Sequence, residues 1–122
     1  MKKNLSALPP TVYGIANCDS VKKARTWMAQ HAPDHVFHDF KKQGLPTDAL
    51  DFWLSQVGWE VLLNRKGTTW RKLPAERQAQ VSDAPSARAL MLEHPSVIKR
   101  PVVVINNTVS VGVNPEAWAS VK

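Results

Sequence analysis

The sequence predicts an α/β fold built on a mixed four-stranded sheet, with a helical subdomain inserted between its two halves. Three features of the 122 residues predict it. A strand, a helix and a second strand follow one another at the start, helical patterns fill the middle, and two strands joined by a tight turn precede a final helix. Parallel strands need a helical crossover, whereas a two-residue turn joins antiparallel strands, so the sheet must be mixed. The length predicts one domain, residues 1–122, with the helical insertion at about 43–97.

The N-terminal β-α-β unit is predicted to follow a loose tail at residues 1–10. Residues 11–15 form a β-prone run, and residues 17–20 offer side chains that can cap a helix. Helical spacing then predicts an inward face that carries Val21, Ala24, Met28 and His31. Pro33 ends this helix, and residues 35–40 form the second strand. The two strands are expected to be parallel, with a right-handed crossover.

The central block reads as a series of short helices. Residues 41–46 are predicted to form a turn, and the next helix ends at Gly58. The apolar face of that helix is carried by Leu50, Trp53, Leu54 and Val57. Residues 59–64 are apolar but too few for periodicity to distinguish helix from strand, and residues 67–70 form a turn-rich link. Two more helices are predicted from the prolines that open them, Pro74 and Pro85.

The last quarter of the chain predicts a hairpin and a helix. Residues 101–105 are continuously apolar, which is typical of a strand that is covered on both faces. Residues 106–107 are two asparagines, which suit a hairpin turn with positive φ angles. Residues 108–111 therefore return as an antiparallel strand, and Asn114 opens the final helix.

The composition and net charge favour some kinds of binding partner over others. Lys and Arg number 16 against 10 Asp and Glu, and a net charge of +6 favours an anionic partner. The strands carry almost no charge, which disfavours a nucleic-acid platform. No segment is apolar over the roughly 18 residues of a membrane span, and the N-terminus lacks the apolar stretch of a signal peptide. The single cysteine therefore predicts a cytoplasmic protein without an internal disulfide.

Histidine spacing gives no metal site. His35 and His38 are three residues apart on a predicted strand, where side chains so spaced point to opposite faces. Both are interpreted as structural, with His38 the better candidate for burial. No bound metal or cofactor is expected.

Cys18 is the candidate for chemistry. A lone cysteine is more often a small buried apolar residue, but this one lies where a strand turns into a helix. Unpaired amide groups and the positive end of the helix dipole favour a thiolate there, and Lys22 and Arg25 follow within two turns. The position therefore favours a reactive thiol.

The sequence resembles the ArsC/Spx family, and within it the YffB-like branch of bacterial proteins. Several segments carry the resemblance together: residues 13–15, 17–25, 37–41, 58–71 and 98–101. It covers nearly all of the chain after residue 11. The family has a thioredoxin-like fold with a helical insertion, which agrees with the order of elements above.

The resemblance implies a set of roles around one thiol. Cys18 would be the catalytic nucleophile, and Arg65 and Arg100 match family arginines that surround the thiol and bind anions. Pro101 matches the proline that is cis beside the active site of thioredoxin-like folds. An X-Pro bond is cis in only about 5–6% of folded cases, so the residues alone do not predict this isomer.

Two departures from the family bear on the reaction. Arsenate reductases carry a third arginine in the segment here occupied by residues 111–115, which holds none. Spx regulators carry a second cysteine three residues after the first, where this chain has Val21. A single thiol needs an external thiol to resolve it, and glutathione is the natural co-substrate. Asn17, Ser20 and Lys22 are further candidates to bind it.

The sequence therefore predicts a glutathione-dependent thiol oxidoreductase acting on a small oxyanion or disulfide substrate, with glutaredoxin as a further partner. Two alternatives stay open: an Spx-like regulator that binds RNA polymerase, and a true arsenate reductase. No membrane partner is expected.

Overall fold

A computed structural model describes residues 9–121, which fall into two compact units. The first comprises residues 9–44 and 100–121, and the second comprises Leu45–Lys99. The tail predicted for residues 1–10 lies almost wholly outside the described residues. The bounds of the second unit are close to those of the helical insertion predicted at about 43–97.

Four strands and eight helices are seen in the described chain. The strands are β1 Thr11–Gly14, β2 Val36–Asp39, β3 Val102–Ile105 and β4 Thr108–Val111. The helices are α1 Asp19–His31, α2 Phe40–Gln43, α3 Thr47–Val57, α4 Trp59–Leu62, α5 Thr68–Arg71, α6 Ala75–Ala79, α7 Ala84–Glu93 and α8 Pro115–Val121. A 3₁₀ turn at Pro95–Val97 follows α7.

The sheet of the first unit is mixed, as predicted. Its strand order is β2-β1-β3-β4, with β1 parallel to β2 and antiparallel to β3. The β3–β4 hairpin turns at Asn106 and Asn107, which have φ angles of 50° and 63°. Asparagine tolerates this left-handed conformation, which a two-residue hairpin turn requires. The fold class predicted from the sequence is confirmed.

The apolar face of α1 forms the core of the first unit. Val21, Ala24 and Met28 are fully buried and pack with Val12 of β1 and Trp118 of α8. Three of the four residues predicted to face inward do so.

His31 is the exception on that face. It is exposed, and its ring stacks on Trp27 with 4.0 Å between ring centroids. Its Nδ1 lies 2.9 Å from the Trp27 carbonyl oxygen. His31 lies in the last turn of α1, so it covers Trp27 at the surface rather than entering the core.

The second unit is helical around its own apolar centre. Leu50 and Trp53 of α3 are fully buried, and Gly58, with φ of 80°, ends that helix as predicted. The ambiguous segment 59–64 forms α4 and then a single β-bridge between Leu63 and Ile98.

Two segments predicted as turns are short helices, so those predictions are wrong. Residues 41–43 of the first segment belong to α2, which begins where the Asp39 carboxylate accepts a hydrogen bond from the Lys41 amide at 2.8 Å. Phe40 therefore belongs to a helix and not to the second strand. Residues 67–70 contribute to α5, whose Thr69 hydroxyl donates to Ser96 at 3.1 Å.

His38, the better candidate for burial of the two histidines, is half-buried, and so is His35. The Nε2 atom of His38 lies 2.8 Å from the Gly44 carbonyl oxygen. The Nδ1 atom of His35 lies 2.8 Å from the Ala32 carbonyl oxygen. Both histidines therefore bond to the backbone, which fits the structural role assigned to them. Within residues 9–121 no three His, Cys, Asp or Glu residues are placed to hold a metal ion, and no helix could cross a membrane.

Candidate functional site

One edge of the sheet gathers three connecting segments of the first unit. Tyr13 of β1 pairs with Val102 of antiparallel β3, so the chain that leaves β1 and the chain that enters β3 share this edge. The first segment leads to Cys18, and the second is Arg100–Pro101. The segment after β4 joins them, because the Gly112 amide donates to the Pro101 carbonyl at 2.8 Å.

Cys18 is the N-cap residue of α1. Its backbone is extended, with φ of −151° and ψ of 123°, and its carbonyl accepts the first helical hydrogen bond from the Lys22 amide at 2.9 Å. The side chain is half-buried against the core and makes no capping hydrogen bond within the described chain. The first-turn amides of α1 and the dipole of this 13-residue helix thus favour negative charge beside the sulfur.

The close approach of Gly14 to Val21 sets the turn that carries Cys18. A Cβ at Gly14 would fall 2.6 Å from Val21 Cγ2, closer than real carbon atoms come. Gly14 is buried at the end of β1, and Val21 is buried in the first turn of α1. Only glycine allows the helix to begin this close to the strand, so Gly14 helps to place the thiol.

Arg100 and Pro101 stand at the entry to β3. The peptide bond between them is cis, as the family resemblance implies. Pro101 is buried, and Arg100 is half-buried with its Nε atom shielded from solvent. The assignment of Arg100 to anion binding beside Cys18 remains a prediction.

The polar candidates around Cys18 differ in exposure. Asn17 is exposed in the turn before α1, and Ser20 is half-buried in its first turn. Residues 17–20 are predicted from the sequence to offer side chains that cap α1; the N-cap position is Cys18, and its side chain makes no capping hydrogen bond within the described chain. Lys22 is exposed one turn further along the helix.

Arg65 belongs to the second unit. It is exposed in the turn between α4 and α5, and its guanidinium carbon lies 5.4 Å from the Trp59 ring centroid and 5.9 Å from that of Trp70. Both distances are within cation–π range. The grouping of Arg65 with Cys18 and Arg100 remains a prediction.

Asn64 shapes the turn that presents Arg65. Its backbone N–H donates to the Val97 carbonyl at 2.8 Å, and its side-chain oxygen accepts from the Lys66 backbone N–H at 3.2 Å. A Cβ at Gly67 would fall 2.8 Å from the Asn64 side-chain nitrogen, so a larger residue there would have to displace the end of that side chain. The turn is thus held by backbone and side chain together.

The sequence did not show the contact between Arg25 and Phe37. The guanidinium carbon of Arg25 lies 4.1 Å from the centroid of the Phe37 ring. Arg25 also lines an open hollow of about 380 Å³ with Lys22, Thr26, Ala29 and His35. The sequence did carry a signal that Lys22 and Arg25 share a helix face with Cys18, because they follow it by four and seven residues. It carried no signal for the contact with Phe37.

Tyr13 is the titratable group of the first unit with a resolved perturbation. Burial raises the pKa of its phenol above the ordinary value, so the side chain stays neutral at physiological pH. Its ring contacts His38 with 5.2 Å between centroids. Tyr13 thus supplies packing rather than charge next to the turn.

Comparison with known proteins places the chain among small bacterial relatives. Residues 13–121 match the sequence model of the ArsC family. An uncharacterized protein of Haemophilus influenzae is 40% identical over 108 residues, which cover 88% of this chain and 94% of that protein. The global transcriptional regulator Spx of Streptococcus pyogenes is 26% identical over 109 residues, covering 87% and 79% of the two chains.

Solved structures agree with this placement. The YFFB (PA3664) protein superposes with a TM-score of 0.85 at 43% identity and covers 92% of this chain and 97% of its own. An arsenate reductase (ArsC) related protein from Brucella melitensis gives 0.70 at 49% identity, covering 93% and 94%. The arsenate reductase from Vibrio cholerae, at 21% identity and 0.78, shares the thioredoxin-like fold. The match to the family extends over nearly all the described residues, and the chain belongs to the ArsC family.

Proposed function

We propose that this chain is a glutathione-dependent thiol oxidoreductase in which Cys18 is the nucleophile. The observation that carries the proposal is the position of Cys18 at the N-cap of α1, at the sheet edge that also holds Arg100 and cis-Pro101. The thiolate is the reactive form of cysteine, and the free amides at the start of a helix can donate hydrogen bonds to an anion bound beside it. A reducing cytoplasm would keep such a thiol reduced between turnovers.

The reaction needs two exchanges because the chain has one cysteine. The Cys18 thiolate attacks the glutathione sulfur of a mixed disulfide, that S–S bond breaks, and the substrate leaves as a thiolate. Cys18 is then joined to glutathione. A second glutathione thiolate attacks this disulfide, releases Cys18 as a thiolate and departs as oxidised glutathione. Overall, one mixed disulfide and one reduced glutathione give the free substrate thiol and one oxidised glutathione, so a single glutathione thiol is oxidised in each turnover.

Charge complementarity supports glutathione as the co-substrate. Glutathione carries two carboxylates, and a guanidinium holds a carboxylate through two parallel hydrogen bonds. Arg100 and Arg65 are the candidates for these contacts. Asn17 and Ser20 could donate hydrogen bonds, and Lys22 adds positive charge one turn from the thiol. Glutaredoxin would be a further partner if it accepts the mixed disulfide.

Mass spectrometry of the protein after mixing with oxidised glutathione tests the first exchange. The expected product carries one glutathione on the Cys18 peptide, and added reduced glutathione should remove it. Cys18→Ser is the control and must remain unmodified. An unmodified wild-type protein would overturn the proposal.

A regulator that binds RNA polymerase is the second candidate, because regulators named Spx are among the relatives. The net charge of +6 is compatible with a protein partner. A pull-down against the purified polymerase α subunit separates the two functions. Binding that survives Cys18→Ser but is lost on charge reversal of surface lysines would favour the regulator.

Arsenate reduction is a third candidate and has less support. The segment after β4 lies at the same sheet edge as the Cys18 turn, and it presents Val113, which is 42% exposed, where arsenate reductases carry an arginine. The contact that this arginine would make to the oxyanion is missing from these residues.

A further inference from the structure

We propose that a cationic stripe along α1 binds acidic segments of polypeptide substrates, so that the preferred mixed disulfides are those of proteins with acidic residues beside the reactive cysteine. The cationic stripe consists of Lys22, Arg25 and Ala29 on α1, together with the flanking Thr26 and His35. The inference rests on the proposed function, because it takes Cys18 as the nucleophile.

The stripe starts at the thiol. Cys18, Lys22, Arg25 and Ala29 are spaced by four, three and four residues, which places them in one row along the helix. The buried face of α1 is a different row, formed by Val21, Ala24 and Met28. Lys22, Arg25 and Ala29 of this row are exposed, whereas Cys18 at its start is half-buried against the core.

The stripe borders a hollow that a polypeptide can enter. The hollow is open to solvent, has a volume of about 380 Å³, and its lining contains two cations, one imidazole and no carboxylate. Asp34, the acidic neighbour of His35 in the sequence, instead lines a separate hollow with Asn106. The chemistry of the first hollow thus favours a negatively charged occupant.

Arg25 is held in place for such a contact. Its guanidinium lies over the Phe37 ring, 4.1 Å from the centroid. Stacking occupies a face of the guanidinium and leaves the N–H donors at its edge for a carboxylate. Among the ion pairs found within residues 9–121, none involves Lys22 or Arg25, whereas Arg77 and Arg88 pair with carboxylates.

The stripe is too long to be covered by glutathione alone, whereas a polypeptide can contact its full length. Eleven residues of helix separate Cys18 from Ala29, which is about 16 Å at 1.5 Å per residue. An extended peptide covers this distance with about five residues, more than the three of glutathione. Lys22 and Arg25 lie roughly 6 and 10 Å along the helix from the thiol, so they match acidic residues about two and three positions from the cysteine.

Peptide mixed disulfides with glutathione provide the test. One peptide carries glutamates two and three positions after its cysteine, a second carries them before it, and matched peptides carry glutamine instead. The rate of peptide thiol release is measured with the full chain at low and at physiological salt. We expect one glutamate peptide to react about two- to fivefold faster than its glutamine partner, and salt should reduce the difference.

Variants of equal charge change locate the effect. Arg25→Gln should remove the preference for glutamate, whereas Lys42→Gln, which removes one charge from exposed α2, should retain it. Ala29→Glu, on the exposed face of α1, adds a negative charge to the stripe and should weaken the preference; it replaces Arg25→Gln as the test if that variant fails to fold. Melting curves establish the folding of each variant.

The outcomes separate this inference from the proposed function. Two results would overturn the inference while leaving the oxidoreductase proposal standing. One is equal rates for the glutamate and glutamine peptides. The other is a loss of the preference for glutamate that is as large in Lys42→Gln as in Arg25→Gln. No reaction of the wild type with any peptide or with oxidised glutathione would overturn the proposed function, and the inference with it.

Discussion

Gly14 lies so close to Val21 that a Cβ on the glycine would come within 2.6 Å of the valine Cγ2 atom. The end of β1 and the first turn of α1 are therefore in direct contact across the short turn that carries Cys18. Neither side chain has a polar group to offer a substrate. Both nevertheless determine where the sulfur lies, because the turn between them has few residues over which to absorb a shift.

Gly14→Ala should therefore destabilise the protein and displace the thiol. Overpacking of a core contact typically costs about 1–3 kcal/mol. Urea unfolding should show a loss in this range, and alkylation of Cys18 by iodoacetamide should change in rate. Adding Val21→Ala should restore part of the stability by making room for the new methyl group. If Gly14→Ala unfolds like the wild type, the contact is not restrictive.

Arg100→Ala and Arg65→Ala should weaken anion binding more than they weaken folding. A hydrogen bond to a charged group contributes about 1.5–3 kcal/mol, so each loss should weaken glutathione binding by roughly ten- to a hundredfold. Glutathione titration beside thermal melts makes the comparison, with exposed Lys72→Ala as the matched loss of charge. Normal binding in both arginine variants, or simple unfolding, would contradict their assignment.

Arsenate turnover should be slow or absent, while disulfide exchange is readily detected. One missing charge-assisted contact in the transition state costs on the order of tenfold to a hundredfold in rate. A coupled assay with glutathione, glutaredoxin and arsenate measures this beside a disulfide-exchange assay. Val113→Arg, at an exposed position, should raise arsenate turnover. Robust wild-type turnover that disappears in Cys18→Ser would mean that another cation supplies the contact.

Acid should abolish the stabilising effect of the Asp83 cap on α7. Hydrogen bonds from the side chain and the backbone of Ser86 hold the pKa of the Asp83 carboxyl below its usual value. The folded protein thus favours the ionised form, whose contribution is present at neutral pH and is lost as the pH falls below about 4. Asp83→Ala should lower the melting temperature at pH 7, and the deficit should shrink at pH 3. A deficit that stays constant with pH would exclude the carboxylate as its cause.

The N-terminal β-α-β unit and the C-terminal hairpin could be predicted because the residues that specify them are neighbours in the sequence. The apolar run before residues 106–107 and the two asparagines themselves specify a strand and its turn without reference to the rest of the chain. The change from strand pattern to helical spacing around Cys18 is equally local, so both the position of the thiol at a helix start and the family resemblance could be read from neighbouring residues.

Short helices and side-chain contacts escaped prediction for the opposite reason. Helices α2 and α5 have four residues each, which is one turn and too little for a repeating pattern. They form because a carboxylate caps one and a threonine hydrogen bond secures the other. Neither the cap nor the partner is visible from residue spacing.

By itself the sequence determined the order of the strands and of the longer helices, the mixed sheet and the single candidate nucleophile, because backbone propensity and hydrophobic period act between residues a few positions apart. Only the tertiary structure decided that Arg25 stacks on Phe37 and that Gly14 must leave room for Val21. These pairs are brought together by packing between a helix and a sheet, and such packing depends on the whole fold rather than on any segment of it.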